Sequence, residues 1–443
     1  MRDLVKDFLI IFDSTNDQNL LSHEKNSEDL QKVAYIDETL AVYFVGECHN
    51  IQHLINDDPS LCARKHSLPE LINSLFIKYH TQLFKKIRGK YALVIYDKDQ
   101  QTFYGSRDHF GINPLYYYDH ENLFIVASDK KVINNYLNNK AINVEGLQHY
   151  FSFQYVPEPM TLSKGVQLVN SGTYFIKSNS EPIKFKPYFK INFHEKNQPQ
   201  EDMIKQIRDV MTEQVETRMS RHNNVGVLLS GGIDSTLIAA IAKTFNPDIK
   251  TFSVGFSREG YSEVSLAQES AKYLDIENIS RIITPDEYVA NIPRIIWHLE
   301  DPLADPSCIP LYFAAREAKE HVDTVLSGEG ADEFFGGYNI YHEPESLKMF
   351  NYVPNILKTA LRQLAEKFPD YIKGKSFFIR GTTPLKERYI GNAKMFDEIE
   401  KRDFYKMFDK NVHFRDITNP FYEDDKNWPL VSQMQYIDIN TWL

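Results

Sequence analysis

Two glycine-rich loops carry the side chains of this chain that are best placed to do chemistry. The first, Ser230-Gly231-Gly232-Ile233-Asp234-Ser235, follows Val225-Gly226-Val227 and precedes Thr236-Leu237-Ile238-Ala239-Ala240-Ile241-Ala242. A short apolar β-branched run reads as a buried strand, and the run after the loop is made of good helix formers. A strand therefore feeds a tight turn and then a helix. That order aims several backbone N–H groups and the positive end of a helix at one point, where a phosphate group is stabilised. Gly231 and Gly232 let the backbone come close to the oxygens. Asp234 would repel bare phosphates, and its place makes sense if a Mg2+ ion bridges it to them. Taken alone, the loop fits an ordinary helix-capping turn equally well.

The second loop breaks that tie. Asp323-Thr324-Val325-Leu326 reads as another buried strand, and Ser327-Gly328-Glu329-Gly330-Ala331-Asp332-Glu333 then crowds Glu329, Asp332 and Glu333 among glycines. Neighbouring carboxylates repel one another, and a cation or a retained proton relieves the repulsion. Phe334, Phe335 and Tyr338 follow and are expected to bury the loop. Gly374-Lys375-Ser376 matches only the tail of a Walker-type phosphate loop, since Pro369 stands where its first glycine belongs.

The first loop resembles the pyrophosphate loop of the ATP pyrophosphatases. Together with Thr251-Phe252-Ser253-Val254-Gly255-Phe256, Asp301 to Pro310 and Leu326 to Tyr338, it resembles the synthetase domain of glutamine-dependent asparagine synthetases, from about Glu201 to the last residue. The resemblance implies ATP and Mg2+ as cofactors. It implies that Ser230, Gly231, Gly232, Asp234 and Ser235 hold the pyrophosphate, that Asp234 and Asp332 bind Mg2+, and that Leu228, Val254, Ser327 and Gly328 hold the adenosine. Glu329 matches the glutamate needed for acyl-adenylate chemistry. A physical role for it stands independently, because ammonium is a poor nucleophile until a base removes a proton. The implied reaction forms β-aspartyl-AMP and pyrophosphate from aspartate and Mg-ATP, after which an amine displaces AMP. Tyr261-Ser262-Glu263 departs from the acidic pair usual in the family.

In the first half, Lys86 to Tyr118 runs as strand, Asp-rich turn, strand and Gly-Pro corner, the pattern of antiparallel hairpins. It resembles the class II glutaminase domain that precedes the synthetase in the same family, and Arg107, Asp108, Gly111 and Pro114 match its framework signature. The glutaminase chemistry does not carry over. The chain opens Met1-Arg2-Asp3 where that domain needs an N-terminal Cys, and the family's Asn-Gly-Glu oxyanion segment aligns with Val45-Gly46-Glu47. Its glutamine anchor aligns loosely with Ser67-Leu68-Pro69-Glu70. Cys48 reads as a buried strand residue rather than a displaced nucleophile. We therefore expect residues 1 to 190 to form an α+β glutaminase-like domain of antiparallel sheets without glutaminase activity, and 191 to 443 an α/β ATP-pyrophosphatase domain with a parallel sheet.

The layout agrees with that division. Lys190 to Gln200 is a polar linker, and Met203, Ile204, Ile207, Val210, Met211, Val215 and Met219 recur at helical spacing, as a core-packing helix would. Thr284-Pro285-Asp286-Glu287 has the signature of a capped helix start. A net charge of −11 argues against nucleic acid as the main partner. Cys48, Cys62 and Cys308 have neither disulfide nor zinc spacing. No leader or membrane-length apolar run is visible, so a cytoplasmic location is expected. Expected partners are aspartate with ammonia or glutamine as small-molecule substrates, and the chain is compatible with a homodimer. Gln435 to Leu443 resembles a family segment that normally continues into a helix with a Lys and an Asp-Arg-Met sequence, so on that comparison the chain reads as truncated. Related synthetases of the lasso-cyclase or β-lactam type, or a non-catalytic nucleotide-binding remnant, stand as alternatives.

Overall fold

Alternation of apolar side chains in the first half becomes two antiparallel sheets. In the computed structural model the described residues are 8–13, 34–56, 61, 67–178, 181–194, 196–258, 262–369, 371–424 and 428–443. The chain divides into two units, Met1–Leu147 with Val156–Asn192, and Gln148–Tyr155 with Phe193–Leu443.

The strands of the first unit are β1 Leu9–Asp13, β2 Ala34–Ile36, β3 Leu40–Cys48, β4 Gly89–Asp97, β5 Thr102–Arg107, β6 Tyr116–His120, β7 Leu123–Ala127, β8 Gln167–Leu168, β9 Thr173–Ser178 and β10 Lys184–Pro187. Among the described residues they form a six-stranded sheet in the order β10-β9-β5-β4-β3-β2 and a four-stranded sheet in the order β1-β7-β6-β8. Successive residues of a strand point to opposite faces. Ala41, Tyr43, Ala92 and Val94 thus meet Phe12, Phe124 and Val126 between the sheets. Val42, Phe44, Leu93 and Ile95 face the other way, onto Ile72, Leu75 and Phe76 of helix α1 Leu68–Tyr79. Ile11, Tyr116 and Ile125 cover Ile133 on the far side of the smaller sheet. The expected hairpin is β4 with β5, but Tyr116 to Tyr118 leaves it for the other sheet, pairing with β7. The corner is held by Asp108, which is 1% exposed and accepts hydrogen bonds from the backbone N–H groups of Tyr91, Phe110, Ile112 and Asn113. Arg107 closes its other side on the carbonyls of Gly111, Asn113 and Val169.

In the second unit, helices and strands alternate: α2 Gln200–Met219, β11 Val225–Leu228, α3 Ile233–Phe245, β12 Lys250–Phe256, α4 Val264–Leu274, β13 Glu277–Ile283, α5 Pro285–Leu299, α6 Cys308–Lys319 and β14 Thr324–Leu326. All pairings are parallel, in the order β13-β12-β11-β14. Both sheet faces are covered, as parallel sheets require. Val227 and Leu326 pack with Ile238 and Ala239 of α3 and Ala267 of α4, whereas Leu228, Val325 and Phe252 pack with Ala318 of α6. α5 starts with the reciprocal capping box read from Thr284 and Glu287.

The helix read as core-packing along its whole length does so over half of it. Val215 is buried with Met211 and Met219 against the sheet, but Met203, Ile204, Ile207 and Val210 are all more than one-third exposed. A 20-residue helix spans about 30 Å, whereas β11, whose Val225 and Val227 pack with Val215, has four residues and is ~13 Å long.

Two glycines fix how the site loops sit on this frame. Gly231 has φ +88°, and a Cβ there would meet the backbone of Leu266 and Ala267 at 2.8 Å. A Cβ on Gly328 would meet the Ser235 nitrogen at 2.8 Å and the Asp234 carbonyl carbon at 2.9 Å. Because those obstacles are backbone, Gly328→Ala has to push the two loops apart. We expect it to lower the unfolding free energy of this unit by about 1–3 kcal/mol, read from denaturant titration of the full chain. An unchanged midpoint would show that the loops do not depend on this approach.

Candidate active site

In a parallel sheet, ligands gather beyond the carboxyl ends of the strands, where the strand order reverses. Here the chain builds outward from β11 through β12 to β13 and then returns to place β14 on the other side of β11. Val227 lies opposite Leu326 in register, so the loops after β11 and β14 leave the sheet side by side. A cavity of about 410 Å³ opens between them.

The Ser-Gly-Gly loop holds its own shape. The Ser230 N–H donates to Ser235 Oγ at 3.2 Å, the Gly232 N–H donates to Ser230 Oγ at 3.3 Å, and Ser235 Oγ–H donates to the Gly232 carbonyl at 3.2 Å. α3 then begins at Gly232 with no side chain capping it, and its first turn faces the cavity. The strand end beneath is tied down as well, since Ser253 Oγ donates to the Leu229 carbonyl at 2.6 Å.

The second loop turns through Gly330, at φ +87°, into the single-turn helix α7 Ala331–Phe335. Glu329 N–H donates to Ser327 Oγ at 3.1 Å. Loss of water raises the Glu329 carboxyl above the usual carboxylate range, and the neighbouring charges of Glu333, Asp305 and Asp332 raise it further. Asp332 is raised by partial burial and then by the charge of Asp234 across the gap. Two carboxylates from separate loops therefore repel each other over one cavity. Among the described residues no group of three or more His, Cys, Asp or Glu stands at metal-binding spacing. A facing pair is nevertheless the donor set suited to a hard divalent ion that brings its remaining oxygens on a polyphosphate.

Leu228, Ser230, Gly232, Asp234, Ser235, Val254, Ser327, Gly328, Glu329 and Asp332 all line this cavity. Gly231 serves it indirectly, seated on α4. Val45, Gly46 and Glu47 lie in the other unit, on β3. Val45 packs against the core between the sheets, Gly46 abuts the Lys90 carbonyl, and Glu47 pairs with Lys90 at 3.1 Å. Ser67 caps α1 with Glu70 in its first turn. Cys48 is buried at the end of β3.

One expectation about the second loop is corrected. Phe334 and Phe335 are 46% and 60% exposed, while Glu333 is 3% exposed and accepts from Tyr338 O–H at 2.8 Å. A single helical turn puts consecutive residues on different faces, and the inward one is the glutamate. Glu333, Tyr338, Glu263, Ser307 and Pro310 line the cavity without having been singled out as site residues. Glu263 lies in the segment that departs from the family pattern, of which Tyr261 is outside the described residues. Ser307 and Pro310 belong to the Asp301 to Pro310 motif, where Ser307 N–H donates to Asp305 at 2.9 Å and starts α6.

Comparison with known proteins bears on what such a cavity serves. The family model described as asparagine synthase matches residues 206–443, and that described as a glutamine amidotransferase domain matches residues 19–189. The chain belongs to the asparagine synthase family. It is 44% identical to asparagine synthetase [glutamine-hydrolyzing] 1 of Bacillus subtilis over 93% of this chain and 66% of that protein. It is 39% identical to a putative asparagine synthetase [glutamine-hydrolyzing] of Mycobacterium tuberculosis over 82% of this chain and 58% of that protein. The chain therefore spans about two thirds or less of the length of these relatives. The asparagine synthase match falls on the half of the chain with the parallel sheet, and the glutamine amidotransferase match on the half with the antiparallel sheets. No helix among the described residues is long and apolar enough to cross a membrane.

The raised carboxyls make a testable link to pH. A carboxyl whose folded pKa exceeds its unfolded value binds protons more tightly when folded, so it destabilises the fold at high pH and the strain is relieved as pH falls. In chelator, the second unit should gain stability as pH is lowered from neutral toward the ordinary carboxylate range, about 4–4.5. Asp332→Asn should flatten that gain and raise the melting temperature at neutral pH. An Asp332→Asn chain with the wild-type pH profile would show that this carboxyl is not the source of the gain.

Proposed function

We propose that this chain adenylates the β-carboxylate of aspartate with Mg-ATP, releases pyrophosphate and passes the acyl group to ammonia, forming asparagine and AMP. The observation that carries this reading is the cavity at the sheet reversal point, with the self-bonded Ser-Gly-Gly loop on one wall and Glu329 on the other. The B. subtilis relative at 44% identity supports the substrate assignment.

Each residue has a task in that reaction. Backbone N–H groups of Ser230 to Ser235 and the start of α3 receive the departing pyrophosphate. Val254, Leu228 and the backbone of Ser327 and Gly328 border the space for the nucleoside. Asp234 and Asp332 would hold Mg2+, which when bound would neutralise phosphate charge. Glu329, whose carboxyl is already raised, takes the proton from the incoming ammonium. Most of the acceleration in such a site comes from alignment and preset charge.

The amine comes as free ammonia rather than from glutamine cleaved by this chain. Val45 supports that choice, since its side chain packs into the core between the sheets and offers no hydrogen-bond donor where the glutaminase pattern has an amide. In an assay of pyrophosphate release from Mg-ATP, the signal should require aspartate and rise with ammonium but not with glutamine. Glu329→Gln should keep Mg-ATP binding and lose about 10²–10⁴-fold in amide formation. Release driven by another carboxylate, or glutamine as effective as ammonium, would overturn the respective half of the proposal.

A further inference from the structure

We propose that Gln435 is a positioning residue for the loop that carries Glu329, Asp332 and Glu333. This rests on the functional reading above and deepens it. The short helix α7 is a single turn, too short to be stable through its own hydrogen bonds. Like any helix it ends in carbonyls that have no partner within it. Those of α7 are satisfied from two sources. The Asp332 carbonyl receives the Gly336 and Gly337 N–H groups as the chain turns at Gly336, φ +71°. The Glu333 and Phe334 carbonyls receive the side-chain amide of Gln435, at 2.9 and 3.2 Å.

Gln435 is 9% exposed and sits on helix α8 Leu430–Thr441. Asp438, three residues further and on the same face, pins that helix. It is 0% exposed and accepts from Tyr341 O–H at 2.6 Å, from Tyr389 O–H, and from the Asn392 N–H at 2.7 Å. Met434 and Ile437 pack with Tyr341, Leu385, Tyr389 and Tyr422 around it. A rigid helix thus reaches with one amide to the end of α7, and α7 carries Asp332 toward Asp234. Gln435 is not among the residues that line the cavity, and its amide bonds the loop through the Glu333 and Phe334 backbone carbonyls. Its effect is to set where the carboxylates stand.

The test uses the full chain with Gln435→Leu, which removes the donor, and Gln435→His, whose ring N–H has a similar reach. Amide exchange across residues 327–338 and the kinetics of aspartate-dependent pyrophosphate release are both measured. Gln435→Leu should speed exchange in that segment but not in α3. It should lower kcat about ten- to hundredfold, with KM for Mg-ATP within about twofold of wild type. Gln435→His should restore most of both. If Gln435→Leu fails to fold, Gln435→Met keeps the length and has no donor. Unchanged exchange in the segment, or rates unchanged in both donor-free variants, overturns the proposal. If wild type shows no aspartate-dependent release, the functional reading falls by itself, and exchange alone then decides whether Gln435 braces the loop.

Discussion

The Gly328 backbone lies directly against the peptide joining Asp234 and Ser235, and much of the second unit is arranged around that approach. β11 and β14 are neighbours with parallel direction, so their loops leave together. Neither loop could approach so closely if Gly328 carried a side chain, because its Cβ would fall within 3 Å of backbone atoms. The same approach places Asp332 within electrostatic range of Asp234, whose charge adds to the rise that partial burial already gives the Asp332 carboxyl. A packing contact without polar character thereby sets the charge pattern of the cavity.

Much of the frame was legible because it depends on local periodicity and on short-range chemistry. The run around Val227, the glycines after it and the helix formers from Thr236 specify strand, turn and helix within twenty residues. Thr284 and Glu287 specify a helix start through bonds between residues three apart. Strand and helix alternation leads to a parallel sheet, and the rule for ligand location then places both loops at one end of it. Ten of the eleven residues expected around that site line one cavity, and the eleventh, Gly231, supports it from beneath.

What was not legible depends on distant partners. Phe334 and Phe335 have the composition of a buried flank, but the turn beginning at Gly330 rotates Glu333 inward instead, where Tyr338 receives it. The apolar stripe of α2 is continuous in sequence, yet only Met211, Val215 and Met219 find the sheet. Tyr116 to Tyr118 continues a hairpin pattern and then pairs in a different sheet, because the Arg107 and Asp108 side chains turn the chain at the corner. Gln435 offers no signal at all at sequence level. Its significance appears only when a helix 102 residues away is seen to need two donors.

The hydrogen bonds among Ser230, Gly232 and Ser235 carry a consequence for binding kinetics. A loop that must fold around an anion spends part of the interaction on ordering itself, and its association is slowed by the wait for a competent shape. This loop already has its turn closed by its own hydroxyls. On the proposed reading, capture of an anion there needs no ordering of the loop, so differences in affinity among ligands should appear in how long each stays rather than in how fast each arrives.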